Sequence, residues 1–279
     1  MDTPQIKTEQ SPQGPTIIVP SGAAYHSCMH MPELKPGQRW NAVIGKDAHV
    51  VMCETDPRQS EIVVEKGAQL ELMIVQSSPS PIPRAIEKTL ILHERSFVRL
   101  YIGAFESMDL AVTGRLVGAR AGFGQHVTYF GTDKQQVTLN LSAVHEAEET
   151  MSRILTRGVA VDAAHVDFTG SVRIEQSGAG ADTFVGHQGL LLGSNARIDA
   201  LPRLDIETND VKAAHSSAIH AIDEEQLFYL QSRGIEREES SRMIVNGFLE
   251  ESLAIVRDSD IIKLVKQSIK NKQERLSYE

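Results

Sequence analysis

Residues Gly186–Leu253, GHQGLLLGSNARIDALPRLDIETNDVKAAHSSAIHAIDEEQLFYLQSRGIEREESSRMIVNGFLEESL, change periodicity partway along. Up to about Ile222, apolar and polar residues alternate between small turn signals, which is strand patterning. From Asp223 the apolar residues recur at helical spacing. The switch divides the chain into a β body and a helical segment.

Working back from the switch, short strand-like runs follow one another from Thr16 to Ile222, among them NAVIG, HVVMCE, SEIVVE, AQLELMIVQ, SFVRLYIGAF, HVTYFG, QVTLNLSAV and GLLLG. No long amphipathic helix interrupts them, so residues 16–222 are predicted to be all-β. The turns share a loose form, seen at Lys46-Asp47-Ala48, Lys66-Gly67-Ala68, Val161-Asp162-Ala163 and Ser194-Asn195-Ala196, at uneven intervals. This is a degenerate repeat. A stacked β-helix tolerates such unevenness because each coil need only cover its neighbour; a sandwich or barrel has the same periodicity. The segment Val144–Gly158 fits either a short helix or extended coil, and Ser77–Pro83, with three prolines, reads as a surface loop. Residues 1–15 have almost nothing to bury and read as a disordered tail.

Working forward, Asp223-Glu224-Glu225 starts a helix that Gly234 ends. A second helix should begin near Glu236 and bury Met243, Ile244, Gly247, Phe248 and Leu249 or turn them to a partner. A third should run from about Asp260 with Ile261, Leu264, Val265 and Ile269 inward and Lys263, Lys266, Lys270 and Lys272 outward, fraying from about Gln273. Residues 223–276 thus form a C-terminal helical domain.

The 279 residues, 41% hydrophobic, can fill a core, and the net charge of -9 opposes a nucleic-acid surface. No apolar run spans a bilayer and MDTPQIKTEQSPQG lacks the apolar centre of a secretory signal, so a cytoplasmic protein is expected, with neither nucleic acid nor membrane as partner. Cys28 and Cys53 are the only cysteines, fewer than the four thiolates of a self-contained iron–sulfur cluster. No GxxxxGK[ST] or GxSxG motif is present. In Tyr25-His26-Ser27-Cys28-Met29-His30, an extended backbone puts His26, Cys28 and His30 on one face, a donor set suited to iron, zinc or copper; ordinary packing is the competing reading. Cys53 follows an apolar run and reads as a buried small hydrophobe. His126, His145, His165 and His220 are scattered singly and read as structural.

The LLLG run at Leu190–Gly193, the strand Pro202–Ile206, the turn Asn209–Lys212 with His215, and the helix Asp223–Gly234 together resemble the C-terminal half of SufB and SufD, the paired subunits of an iron–sulfur cluster assembly system. Weaker similarity reaches back through the His145 segment and to Glu61–Gln76. The resemblance implies a mainly β protein, a parallel β-helix followed by a C-terminal helical ATPase-binding domain. It implies a short form without the helical domain that usually precedes the β-helix. It further implies a non-enzymatic scaffold that forms a homodimer, or a heterodimer with a SufB/SufD homologue. Such a scaffold binds a SufC-type ABC ATPase, holds a transient iron–sulfur cluster, and deals with a sulfur donor and apo-protein acceptors. By resemblance, ATP-driven closure of two bound ATPases twists the dimer and forms the interfacial site. His215 stands where the family has the histidine of its assembly site, and His187 where some scaffold subunits have a cysteine. Glu225, Phe228, Tyr229, Arg233, Met243 and Phe248 are the expected ATPase contacts. The chain departs from the pattern at Ser216, where the scaffold subunit has Glu, and at Ala213, where SufD often has Cys. An imidazole at 187 can bind iron but has no sulfur to carry a persulfide. The alternatives are a SufD-like structural partner without its own cluster, a β-helix enzyme acting on polysaccharide, and a metal-binding β protein using His26, Cys28 and His30.

Overall fold

The structure, a computed structural model, describes residues 5–30, 34, 38–55, 57–76 and 85–274, with the side chains of 27, 28 and 30 outside that description. The described strands begin with β1 (Lys7–Ser11), β2 (Gly14–Val19), β3 (Ala24–His30), β4 (Trp40–Ile44), β5 (His49–Glu54) and β6 (Ser60–Val64). Next come β7 (Gln69–Gln76), β8 (Ala85–Leu92), β9 (Phe97–Ala104), β10 (Met108–Leu116), β11 (Gly122–Gly131) and β12 (Gln136–His145). The body ends with β13 (Met151–Val161), β14 (His165–Ile174), β15 (Ala181–Leu192), β16 (Arg197–Ile206) and β17 (Val211–Ala221). Three helices follow: α1 (Glu224–Ser232), α2 (Arg237–Leu253) and α3 (Ser259–Gln273).

Even-numbered strands with β1 make one sheet, in the order β1-β2-β4-β6-β8-β10-β12-β14-β16. Odd-numbered strands make the other, in the order β17-β15-β13-β11-β9-β7-β5-β3. Apart from β1, which is antiparallel to β2, neighbours are parallel, so the chain alternates between sheets and winds a parallel β-helix. Ala42 pairs with Ile62 and Leu110 with Leu139, so a coil takes 20 residues early and 29 later.

The turns fall into two columns. Asp47, Gly67, Arg95, Arg120, Glu149 and Gly180 all have positive φ and occupy the turn from the first sheet to the second. Backbone bonds link them coil to coil, such as Asp47 N–H to Lys66 O (3.0 Å) and Gly67 N–H to Glu94 O (2.9 Å). Asp133, Asp162 and Gly193 form the column at the return turns. The repeat visible in the sequence combines both columns and lengthening coils, which is why its intervals are uneven.

Both sheets contribute inward residues to one apolar cluster, for example Leu100, Leu110, Val127, Leu139 and Phe168. Strands of the first sheet alternate, as in β10, where Leu110, Val112 and Leu116 are buried and their neighbours are not. Strands in the middle of the second sheet, such as β5, β7 and β11, are buried on both faces, because the helices cover their outer side. Val51, Met73, Tyr101, Phe130, Val159 and Leu190 point outward into a second cluster with Val245, Leu249, Leu253, Ile261, Val265 and Ile269. Each such aliphatic side chain contributes about 1.5–3 kcal/mol when fully buried. That explains why β5 and β7 read as nearly continuous apolar runs.

Three expectations need correction, and one left open is decided. Residues 7–11, placed in the disordered tail, form β1: its side chains are all exposed, but its backbone pairs with the apolar β2, so ladder bonds hold it without burial. Of the two readings of Val144–Gly158, the extended one holds, with β12 turning into β13, because parallel pairing overrides its local helical content. In α2 the buried face is Ser240, Ser241, Val245, Leu249 and Leu253; Met243 is 45% exposed, since the solenoid surface, not the most apolar arc, sets the helix rotation. Lys272 is buried: its Nζ donates to Gln135 Oε1 (2.9 Å) and lies 3.4 Å from Glu106 Oε1, fastening α3 to two turns. Ser77–Pro83 lies outside the described residues. The helix limits follow their caps: Asp223 Oδ1 accepts from Glu225 N–H (2.9 Å), and Gly234 follows α1 at φ +85°.

Candidate functional site

The two ends of the β-helix are finished differently. At the first end the nine-stranded sheet closes with β1, which carries Lys7 and Glu9 and runs antiparallel; charged side chains on an edge discourage further pairing. At the other end β17 is last in its sheet, bonded to β15 only. Its eleven residues include one charge, Lys212, and Ala214 to Ala221 are all exposed. Such a long edge with a single charge leaves a row of backbone donors and acceptors without the protection that charged edges have.

His215 lies on this edge. It is exposed and pairs in register with Val185, whose side chain is in the interior cluster, so it faces inward over the open end of the coil stack. His187 pairs with Ser217 and has the same facing, one coil below. One strand spacing and a two-residue offset put the Cα atoms of His187 and His215 about 8 Å apart. The structure therefore brings these two sequence candidates together.

Their environments differ. His187 is 1% exposed. Its ring stacks on Phe168 (5.2 Å, 21°) and lies nearly parallel to Tyr129 (6.1 Å, 14°), whose hydroxyl is 3.1 Å from His187 Nε2. Burial pushes its imidazole down to about 4, so it is neutral at physiological pH. Nδ1 has no hydrogen-bond partner among the described residues, and neither does Thr156 Oγ1, its register neighbour on β13. Tyr129 and Phe168 are thus part of the site, although alternation marks them only as core. His215 has Ser216 and Ser217 beside it, with no thiolate or carboxylate next in the chain. On the inward-facing side of this end, one chain therefore offers one exposed imidazole, His215, and one buried imidazole, His187, whose Nδ1 has no partner among the described residues; the exposed His220 is on the opposite face, against Phe248.

The other constellation lies elsewhere. His26 is exposed on β3, at the far edge of the sheet that begins with β17, about 34 Å away at seven strand spacings. Its ring sits edge-on to His49 of β5 (5.3 Å, 88°), a neighbour that no local sequence signal announces. The side chains of Cys28 and His30 lie outside the described residues. Cys53 is buried in the cluster beneath the helices and is disulfide-bonded, so it offers no thiolate. His26 and His215 cannot share an ion within one chain.

Of the helical candidates, Phe228 is 72% and Tyr229 57% exposed on α1, with Met243 of α2 also exposed. The Arg233 guanidinium lies 5.3 Å from the Tyr229 ring centre, and Glu225 is exposed on the same helix. Arg237 bonds Glu224 (2.8 and 3.2 Å), joining α2 to α1. Phe248 is half-buried against the β-helix instead of projecting outward. Among the described residues, His165, Asp167 and Asp199 are grouped as metal ligands often are, but Arg197 already forks Asp199 (2.6 and 3.1 Å), and that cation accounts for the cluster. No helix among the described residues is long and apolar enough to cross a membrane.

Residues 43–248 match the family model described as SUF system FeS cluster assembly, SufBD core domain. An iron–sulfur cluster assembly SufBD family protein of Mycobacterium bovis is 34% identical over 154 residues, covering 52% of this chain and 39% of its own. One from Mycobacterium leprae is 37% identical over 134 residues, 45% of this chain and 34% of its own. One from Staphylococcus saprophyticus is 26% identical over 192 residues, 68% and 41%. The matches span about a third to two fifths of the length of these relatives. With its core domain matched across both sheets and into α2, the chain belongs to the SufBD family of iron–sulfur cluster assembly proteins.

Proposed function

We propose that this protein is a non-enzymatic scaffold subunit that pairs with a second copy through β17 and binds a SufC-type ABC ATPase through α1. The observation that carries the reading is the unprotected β17 edge bearing His215, at the end opposite the charged hairpin of β1 and β2. Pairing two such edges about a twofold axis duplicates His215 and brings two buried His187 rings nearby, which supplies from two chains the nitrogen donors one chain lacks. Iron and sulfide are the cargo. This chain's part is to hold imidazoles at a shielded seam while the exposed Phe228 and Tyr229 give an ATPase an aromatic anchor. Sulfur arrives from a separate donor, because His187 cannot carry a persulfide, and the cluster leaves to apo-protein acceptors.

A second reading, a SufD-like structural partner that holds no cluster, is favoured by the donor set itself. His187 is inside the coil, and Ala213 and Ser216 supply neither thiolate nor carboxylate beside His215. Anaerobic reconstitution with iron and sulfide, read by absorbance and Mössbauer spectra, separates the two. The scaffold reading expects a cluster in the wild type that His215→Ala loses. A wild type that takes up no cluster alone, but supports one when mixed with a second SufBD homologue, would establish the structural partner instead.

A further inference from the structure

The helices reach the edge strand through an aromatic contact. The Phe248 ring of α2 stands edge-on to His220 of β17, with centroids 5.9 Å apart and planes at 89°. On β13, the Arg157 guanidinium lies 5.0 Å from the centre of the same ring. Arg157 Nη1 also donates to the Phe248 carbonyl (3.0 Å) and pairs with Glu251, so the guanidinium is held from three sides. Beside this contact lies a cleft of about 460 Å³ lined by Leu190, His220, Ile222, Gln226, Met243 and Phe248. The α1–α2 hairpin is joined to the end of β17 through Ile222 and Asp223, which line the same open cleft, and reaches back to the strand through the Phe248 ring, clamped between the Arg157 cation and His220. The hairpin has room to shift, and Phe248 would carry the shift to the strand. His220 and His215 are on opposite faces of one strand, an odd number of residues apart, so a displacement of β17 moves both.

We propose that Phe248 is a positioning residue that sets the place of β17 from the α1–α2 hairpin, so that a partner seated on α1 acts on His215 through it. This rests on the reading that the α1 face and the β17 edge are the two working surfaces. The coupling itself belongs to the free chain. It can be tested by hydrogen exchange with mass spectrometry on the full chain, following the β17 amides bonded to β15 and using β11 as an internal reference. Phe248→Leu keeps apolar volume and removes both ring interactions; it should speed β17 exchange about tenfold and leave β11 unchanged. Leu227→Ala removes the buried anchor of α1. In the wild-type background it should also speed β17 exchange; in the Phe248→Leu background it should add less than about twofold, since the ring contact that carries the effect is already gone. Unchanged β17 exchange in Phe248→Leu, or two effects that simply multiply, would overturn the proposal. Neither readout uses an ATPase or iron, so a chain that binds no ATPase and builds no cluster would remove the proposed function while leaving the exchange result standing.

Discussion

Replacing His187 with Phe should make the protein less sensitive to acid while keeping the aromatic stack. Burial lowers the imidazoles of His187 and His145 from the ordinary value near 6.5 to about 4. Between those values the unfolded chain takes up a proton that the folded chain refuses. Stability is therefore fully present above about pH 6.5 and falls as pH drops toward 4. From pH 7 to pH 5 each such histidine removes about 2 kcal/mol. His145 keeps its share in the variant, because Thr150 Oγ1 (2.7 Å) and Ser152 Oγ (2.8 Å) hold its ring separately. The introduced phenyl ring would still pack between Tyr129 and Phe168 but would lose the hydroxyl contact, costing about 1 kcal/mol at neutral pH. Urea unfolding of wild type and His187→Phe at pH 7, 6 and 5 measures this. The wild type should lose about 2 kcal/mol more than the variant over that range. An equal loss in both would show that His187 is charged or hydrated when folded, and the account of the coil interior would fail.

Inside the first coils, Lys88 Nζ lies 2.7 Å from Glu54 Oε2 with both side chains almost fully buried, and burial lowers the Lys88 pKa against the pull of Glu54. Lys88→Met should cost about 3–5 kcal/mol in urea by stranding a buried carboxylate, and adding Glu54→Gln should recover part of it. Gly158→Ala should cost about 1–3 kcal/mol in a thermal melt, since its Cβ would stand 2.3 Å from Tyr129 ring carbons in a packed interior. Phe228→Ser with Tyr229→Ser should change stability by less than about 0.5 kcal/mol each yet abolish co-purification with a SufC-type ATPase.

The sequence shows the β-helix where the periodicity is strict and obscures it where a neighbouring element decides. The switch at Asp223 is visible because the spacing changes with the element: β17 ends at Ala221 and α1 begins at Glu224. The both-sided burial of β5 and β7 is present in HVVMC and ELMIVQ, but nothing local says that α2 and α3 supply the second cover. For the same reason periodicity misplaces the buried arc of α2 and sets Lys272 outward; the partners of that lysine, Glu106 and Gln135, are more than a hundred residues away in sequence. The candidate site is legible as residue types, His187 and His215, but not as environments. Alternation puts both on one face, whereas burial of the first and exposure of the second depend on β17 being the last coil. That a strand is an edge is a property of the whole stack and leaves no mark within the strand.

The claim that β17 is a pairing edge is tested most directly by the mass of the purified chain in solution, measured by light scattering and native mass spectrometry. Two exposed positions on that strand, Ser216 and Ala218, can be changed to Lys without disturbing the core. The account predicts a dimer for the wild type and a folded monomer for Ser216→Lys with Ala218→Lys, because like charges would face each other across the twofold axis. A wild type that stays monomeric at every concentration, or a double-lysine variant that remains dimeric, would contradict it.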